Sequence, residues 1–217
     1  MGTEMGLRES KKQETRQLIS DHATRLFIEQ GFEPTTIAEI ATAARVAKKT
    51  VTNYFARKED MALDHHEEFT RSLARAVTGR AEGESVVAAL RREFHTALEG
   101  HDPVAGFAGP EFARMIAESP TLTARLRELH EQREEALADA LAVPAPGTAP
   151  GTAPDIAPRA AAALLAAAHR LLFRRIQELT LTGHPNDRIT DTLAPEAAHV
   201  FDLLAAALGD GPAPVPA

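Results

Sequence analysis

Residues 36–58, TIAEIATAARVAKKTVTNYFARK, constrain the fold more than any other stretch of this chain. Thr36 followed by Glu39 reads as a capping box, in which each side chain satisfies the other's backbone amide at a helix start. Ile37, Ile40, Ala41 and Ala44 then fall at i, i+3, i+4 and i+7, which predicts a short amphipathic helix. The chain turns at Arg45-Val46. A second short helix is expected from Ala47 to about Tyr54, burying Val51 and either Tyr54 or Phe55. Lys58 should begin a longer helix with Ala62, His66, Phe69, Leu73 and Val77 on its apolar face. Glu59 and Asp60 suit that helix's N-terminal dipole. Two short helices across a tight turn, the first backing the second, form a helix-turn-helix.

The rest of the chain reads as helix as well. Ser10 and Gln13 form a second capping box, and Ile19, Ala23, Leu26 and Phe27 share the face that follows. Gly31 suits that helix's C-terminal stop. Further helices are expected near 84–100, 103–118, 121–142, 158–182 and 190–208, and no alternating strand pattern persists. The fold class is therefore all-α, with a helix-turn-helix domain over 1–57 and a helical body over 58–208. Residues 144–158 hold a repeated P-G-T-A-P and read as an extended, low-complexity loop. The tail, residues 209–217, is expected to be disordered.

The net charge of −7 by itself argues against a polyanionic partner, but the charge is unevenly placed. Residues 1–60 balance to +1 and the remainder to −8. Arg45, Lys48, Lys49, Arg57 and Lys58 lie in a stretch with no acid. Screening over about 8–10 Å lets such a patch bind phosphates on an acidic protein. Lys48, Lys49, Thr52 and Asn53 form the exposed face of the second short helix. Asn pairs bidentately with adenine and Lys donates to guanine acceptors. Thr hydroxyls and Tyr54 donate to phosphates, which position the protein without reading sequence.

Residues 15–61 resemble the N-terminal domain of the TetR family. The resemblance is carried by Ala23, Phe27, Gly31-Phe32, Thr35-Thr36-Ile37, Ile40-Ala41, Ala44-Arg45-Val46, Thr50, Tyr54-Phe55 and Lys58-Glu59. It implies a homodimeric repressor that binds a palindromic double-stranded DNA operator. By the family pattern Thr36, Thr50, Tyr54 and Lys58 are phosphate contacts, and Lys48, Lys49, Thr52 and Asn53 sit where bases are read. The chain departs from the pattern twice. Arg45 stands where the turn usually has Gly, and Ala47 where a capping Ser or Thr is usual. Arg45 in a left-handed turn costs about 1 kcal/mol relative to Gly, and a phosphate contact would recover part of that.

The resemblance also implies a pocket within the body for a small hydrophobic effector, and dimerisation through the last two helices. Ala- and Leu-rich 158–181 and 194–208 agree with close helix approach. The expected pocket residues are His66, Phe69, Phe94, Phe107, Phe112 and Met115. His65-His66-Glu67-Glu68 is the densest group of metal-ligand types, but a site needs three or more convergent ligands, so no metal or other cofactor is expected. No nucleophile elbow, P-loop, dinucleotide fingerprint or HExxH is present, so no catalytic residue is expected. The competing readings are a helical-bundle enzyme and a helical adaptor without DNA, and the acid-free basic stretch counts against both. No apolar run nears the roughly 18 residues that span a bilayer, and the first residues lack the apolar core of a signal peptide. The expected location is the cytoplasm.

Overall fold

The computed structural model describes residues 2–143 and 156–208, with side chains from residue 10 onward. Most of the 144–158 loop and the 209–217 tail therefore lie outside the described residues. The described residues form helices α1 (Gly2–Gln30), α2 (Ile37–Ala43), α3 (Lys48–Tyr54), α4 (Glu59–Ala62), α5 (His66–Thr78), α6 (Val86–Glu99), α7 (Pro110–Glu118), α8 (Pro120–Ala142), α9 (Ala157–Leu181) and α10 (Asn186–Leu208). A single 3₁₀ turn, Pro103–Ala105, precedes α7. No strand occurs among the described residues, and the chain is all-α.

The chain forms two compact units: Met1–His66 with Arg114–Arg125, and Glu67–Ala113 with Leu126–Ala217. Segments 58–66 and 114–125, expected to pack with the body, are thus grouped with the N-terminal unit. The reason is local. Arg125 bonds Asp60, while Ser119 and Thr121 donate to Glu33 at 2.7 and 3.1 Å. The Ser119 bond is the main cause of a lowered Glu33 pKa.

Within the first unit, α1 packs on α2 and α4, and α2 on α3. Ile19, Ala23, Phe27, Ile40, Val51 and Met61 are almost wholly buried, and the Phe27 and Phe32 rings lie 4.8 Å apart. α1 does not start at Ser10. It runs on from Gly2, through Gly6, and Ser10 Oγ donates along the helix to Glu14 Oε1 at 3.1 Å instead of capping its start. Gly31 closes α1 at φ 92°, its amide donating to Phe27 O.

The long helix expected from Lys58 is broken. α4 ends at Leu63 (φ −109°, ψ 52°) and α5 begins at His66. The Ser20 hydroxyl lies 2.9 Å from Met61 O and 2.6 Å from Asp64 Oδ2, so the Met61 carbonyl turns to α1 rather than up its own helix.

In the second unit, α10 packs on α9 and on α6. Leu90, Phe94, Leu98, Leu165, Ile176, Leu193 and Phe201 form the centre of its core. Gly106, at φ 119°, lies so close to Phe173 that a Cβ would meet its carbonyl oxygen at 3.0 Å. Gln177 Nε2 donates to the Gly106 carbonyl, fastening the 3₁₀ turn to α9. Pro158 falls in the first turn of α9, where its missing N–H has no helical partner to lose.

Candidate nucleic-acid interface

The capping box at Thr36 is complete. Glu39 N donates to Thr36 Oγ1 at 3.2 Å, and Thr36 N and Oγ1 donate to Glu39 Oε2 at 2.8 and 2.7 Å. These bonds, the backbone one first, hold the Glu39 carboxyl below its ordinary range. The Thr36 hydroxyl proton is therefore engaged, and donation to a phosphate requires Glu39 to release it.

The turn that follows places Arg45 at φ 55°, in the left-handed region, with its side chain exposed. Val46 N donates to Ala41 O and Arg45 N to Thr42 O, closing α2. Ala47 occupies the N-cap of α3 in extended conformation and makes no side-chain cap. Val51 is 0% exposed and anchors α3 against the unit's core. Opposite it, Lys48, Lys49, Thr52 and Asn53 are all exposed. Thr52 Oγ1 donates within its own helix to Lys49 O at 3.1 Å, while Thr50 and Tyr54 are half-buried. No acidic residue lies in α3.

Two residues hold this helix in ways that local spacing does not reveal. Arg16 Nη1 donates to Tyr54 O at 2.9 Å, and its guanidinium lies 4.4 Å from the centroid of the Phe55 ring. Lys58 Nζ donates to Phe32 O (2.7 Å), Thr35 O (3.0 Å) and Glu33 O (3.2 Å), 4.2 Å from the centroid of the Phe32 ring. An ammonium has three donors, so these carbonyls use all of them. Lys58 thus ties the α1–α2 turn to the start of α4, a role absent from its expected place among the phosphate contacts.

The expected pocket residues are divided between the two units, with His66 and Met115 in the first and Phe69, Phe94, Phe107 and Phe112 in the second. A cavity in the second unit is walled in part by Phe94, and Phe69 stacks on one of its other wall residues, Arg133. His66, Phe107, Phe112 and Met115 do not line that cavity. His66 Nδ1 lies 2.9 Å from Leu63 O, and Phe107 packs against His101 with ring centroids 5.0 Å apart. Phe112 is half-buried in the second unit, whereas Met115 is buried in the first. Among the described residues, no group of three or more His, Asp or Glu side chains is placed to hold a metal ion.

The geometry of α2 and α3 defines a helix-turn-helix with an exposed, acid-free second helix. Residues 19–64 match the family described as "Bacterial regulatory proteins, tetR family". The chain is 31% identical over 142 residues to the HTH-type transcriptional regulator TcmR of Streptomyces glaucescens, a match covering 63% of each protein. The chain thus spans less than two thirds of that relative's length. Two solved structures share the fold. Native NalD, the secondary repressor of the MexAB-OprM multidrug efflux pump in Pseudomonas aeruginosa, superposes with a TM-score of 0.55 at 18% identity, over 87% of this chain and 97% of that one. The SmeT–triclosan complex gives 0.54 at 19% identity, over 89% and 90%. Residues 19–64 thus carry the TetR-family segment, and the curated relative that the chain resembles is described as a transcriptional regulator.

Proposed function

We propose that this protein is a ligand-responsive repressor that binds a palindromic operator as a homodimer and is released by a small hydrophobic effector. The reading rests above all on α3, where Val51 is fixed in the core while Lys48, Lys49, Thr52 and Asn53 stand exposed with no acid among them. In the helix-turn-helix docking mode these four face the base edges of the major groove. Thr50, Tyr54 and Arg45 flank them as phosphate contacts. The names of similar proteins accord with the reading: NalD is a repressor, and SmeT is solved with triclosan.

The functional division follows the sequence: residues 1–57 read DNA, and 58–208 bind ligand and dimerise. Leu164 and Leu171 on α9 and Leu203 on α10 are about half exposed or more, at 51, 49 and 59%. A second copy packing on α9 and α10 would cover them. No helix of the described residues is long and apolar enough to cross a membrane, which accords with a site of action in the cytoplasm.

The test is a gel shift with DNA from upstream of the protein's own gene, against a scrambled fragment. Specific retention is expected, with loss of a base contact in Asn53→Ala or Lys49→Ala costing about 1–3 kcal/mol and relaxing preference at one operator position. Equal retention of both fragments, or unchanged preference in both variants, overturns the assignment of α3.

A further inference from the structure

A cavity of about 40 Å³ lies within the second unit, walled by Ser72, Leu73, Phe94, Ala105, Arg133 and His169 among others. Arg133, on α8, is 5% exposed, and no carboxylate forms an ion pair with it among the described residues. Its Nε donates to Ser72 Oγ at 2.9 Å, and its guanidinium carbon lies 4.5 Å from the centroid of the Phe69 ring. The Ser72 proton is committed to Phe69 O at 2.8 Å, so Ser72 fixes the guanidinium by accepting from it. A guanidinium has five N–H donors. Ser72 takes one, and the terminal nitrogens have no hydrogen bond among the described residues.

His169, on α9, shares this wall. It is 4% exposed, and its Nε2 is buried without a hydrogen-bond partner. The ring is held edge-on by Phe94 and Phe201, with centroids 5.8 and 5.5 Å away. The positive charge of Arg133 is felt by both buried histidines nearby. Burial, and after it Arg133, pushes His169 well below its ordinary pKa. Nearby His130 is pushed down to about 3, by burial first and then by Arg133, Arg170 and Arg174. Burial lowers Arg133 itself to about 9, so it stays charged at neutral pH. Three acids also line the cavity, Glu68, Glu93 and the half-buried Asp102. Glu68 and Glu93 are exposed, Glu68 lies 3.5 Å from Arg75, and Asp102 accepts from Val104 N at 2.8 Å.

A buried cation without a counter-ion is costly, because desolvation is not offset by a partner. A planar guanidinium fits a carboxylate through two parallel bonds. We propose that this cavity is the anion-recognition end of the effector site, holding the carboxylate of a small organic acid between the terminal nitrogens of Arg133 and His169 Nε2. The proposal deepens the ligand-responsive reading and rests on it for the word effector, though not for the anion site itself. Ligand pockets usually measure about 300–1,000 Å³, far more than this cavity. The space therefore suits the acid head alone, and the apolar remainder makes its room by moving the Leu73 and Phe94 side chains.

The test compares phenylacetate with phenylacetamide, equal in shape and different in charge, by calorimetric titration of the full chain without DNA. Wild type is expected to bind the acid roughly ten- to a hundredfold more tightly than the amide, the range of a charge-assisted hydrogen bond. Arg133→Met should erase the preference, and Arg133→Lys, which keeps charge but loses the planar fork, should reduce it. If Arg133→Met does not fold, Arg133→Lys carries the test, and an undiminished preference there overturns the proposal. So do equal binding of the two probes by wild type, no binding of either at millimolar concentration, or an unchanged preference in folded Arg133→Met. Failure with specific operator binding intact leaves a regulator with a neutral effector. Tight acid binding that leaves the operator complex undisturbed keeps the anion site and removes its effector role.

Discussion

Arg125 donates through both Nε and Nη2 to a single oxygen of Asp60, at 3.1 and 2.9 Å, and neither side chain is more than a tenth exposed. The two residues are 65 positions apart, yet they lie in one compact unit. Removing one partner of a buried pair leaves the other charged and dry, at about 3–5 kcal/mol. Asp60→Asn should destabilise the protein by that order in urea denaturation. Asp60→Leu combined with Arg125→Met should recover much of the loss, since an apolar pair of similar volume is often neutral. A loss below about 1 kcal/mol in the single variant would show that water reaches the pair.

Lys58→Ala should act on stability rather than on phosphate binding. It strips three carbonyls of their donor, at about 1–3 kcal/mol if they stay unsatisfied. Affinity for DNA should then keep its salt dependence. A slope of log affinity against log salt that becomes shallower by about 0.9 would return Lys58 to the phosphate contacts.

Arg45→Gly separates strain from charge. The left-handed backbone at φ 55° disfavours Arg by about 1 kcal/mol. The substitution should raise the thermal midpoint while weakening binding to all DNA sequences alike. Unchanged affinity in a stabilised variant removes Arg45 from the interface.

The buried histidines make the protein sensitive to acid. His130 is lowered to about 3 and His169 well below 6.5, while both titrate near 6.5 when unfolded. Between these values the unfolded chain binds more protons, so stability is full above about 6.5 and falls as pH drops below it. The slope should approach about 1.4 kcal/mol per pH unit for each histidine. Denaturation measured between pH 6.5 and 5, above most carboxylate titration, isolates this effect. His130→Leu should remove its own share, and an unaltered slope would mean that His130 is hydrated.

What the sequence made legible was local. The Thr36–Glu39 box and the buried Val51 follow from spacings within a helical turn, whereas the left-handed Arg45 follows from the resemblance to a family pattern that usually has Gly there. The break at Leu63 was not legible, because it depends on Ser20 reaching Met61 and Asp64 from another helix. Lys58 read as a free cation for the same reason: its three acceptors lie 23 to 26 residues upstream. Arg133 is the sharpest case. It lies among the charged residues of a long helix, where arginine ordinarily faces water, and only the packing of Phe69 and Ser72 around it shows that it does not.

The placement of Arg114–Arg125 in the N-terminal unit has a consequence for synthesis on the ribosome. Domains emerge and fold from the N-terminus at about 5–20 residues per second. When residue 66 leaves the exit tunnel, the partners of Asp60 and Glu33 are still untranslated. The DNA-reading unit is thus completed only some seconds later, after most of the residues walling the Arg133 cavity have also been made. A message truncated soon after residue 66 yields a head without its closing segment, rather than a free DNA-binding fragment that competes for the operator.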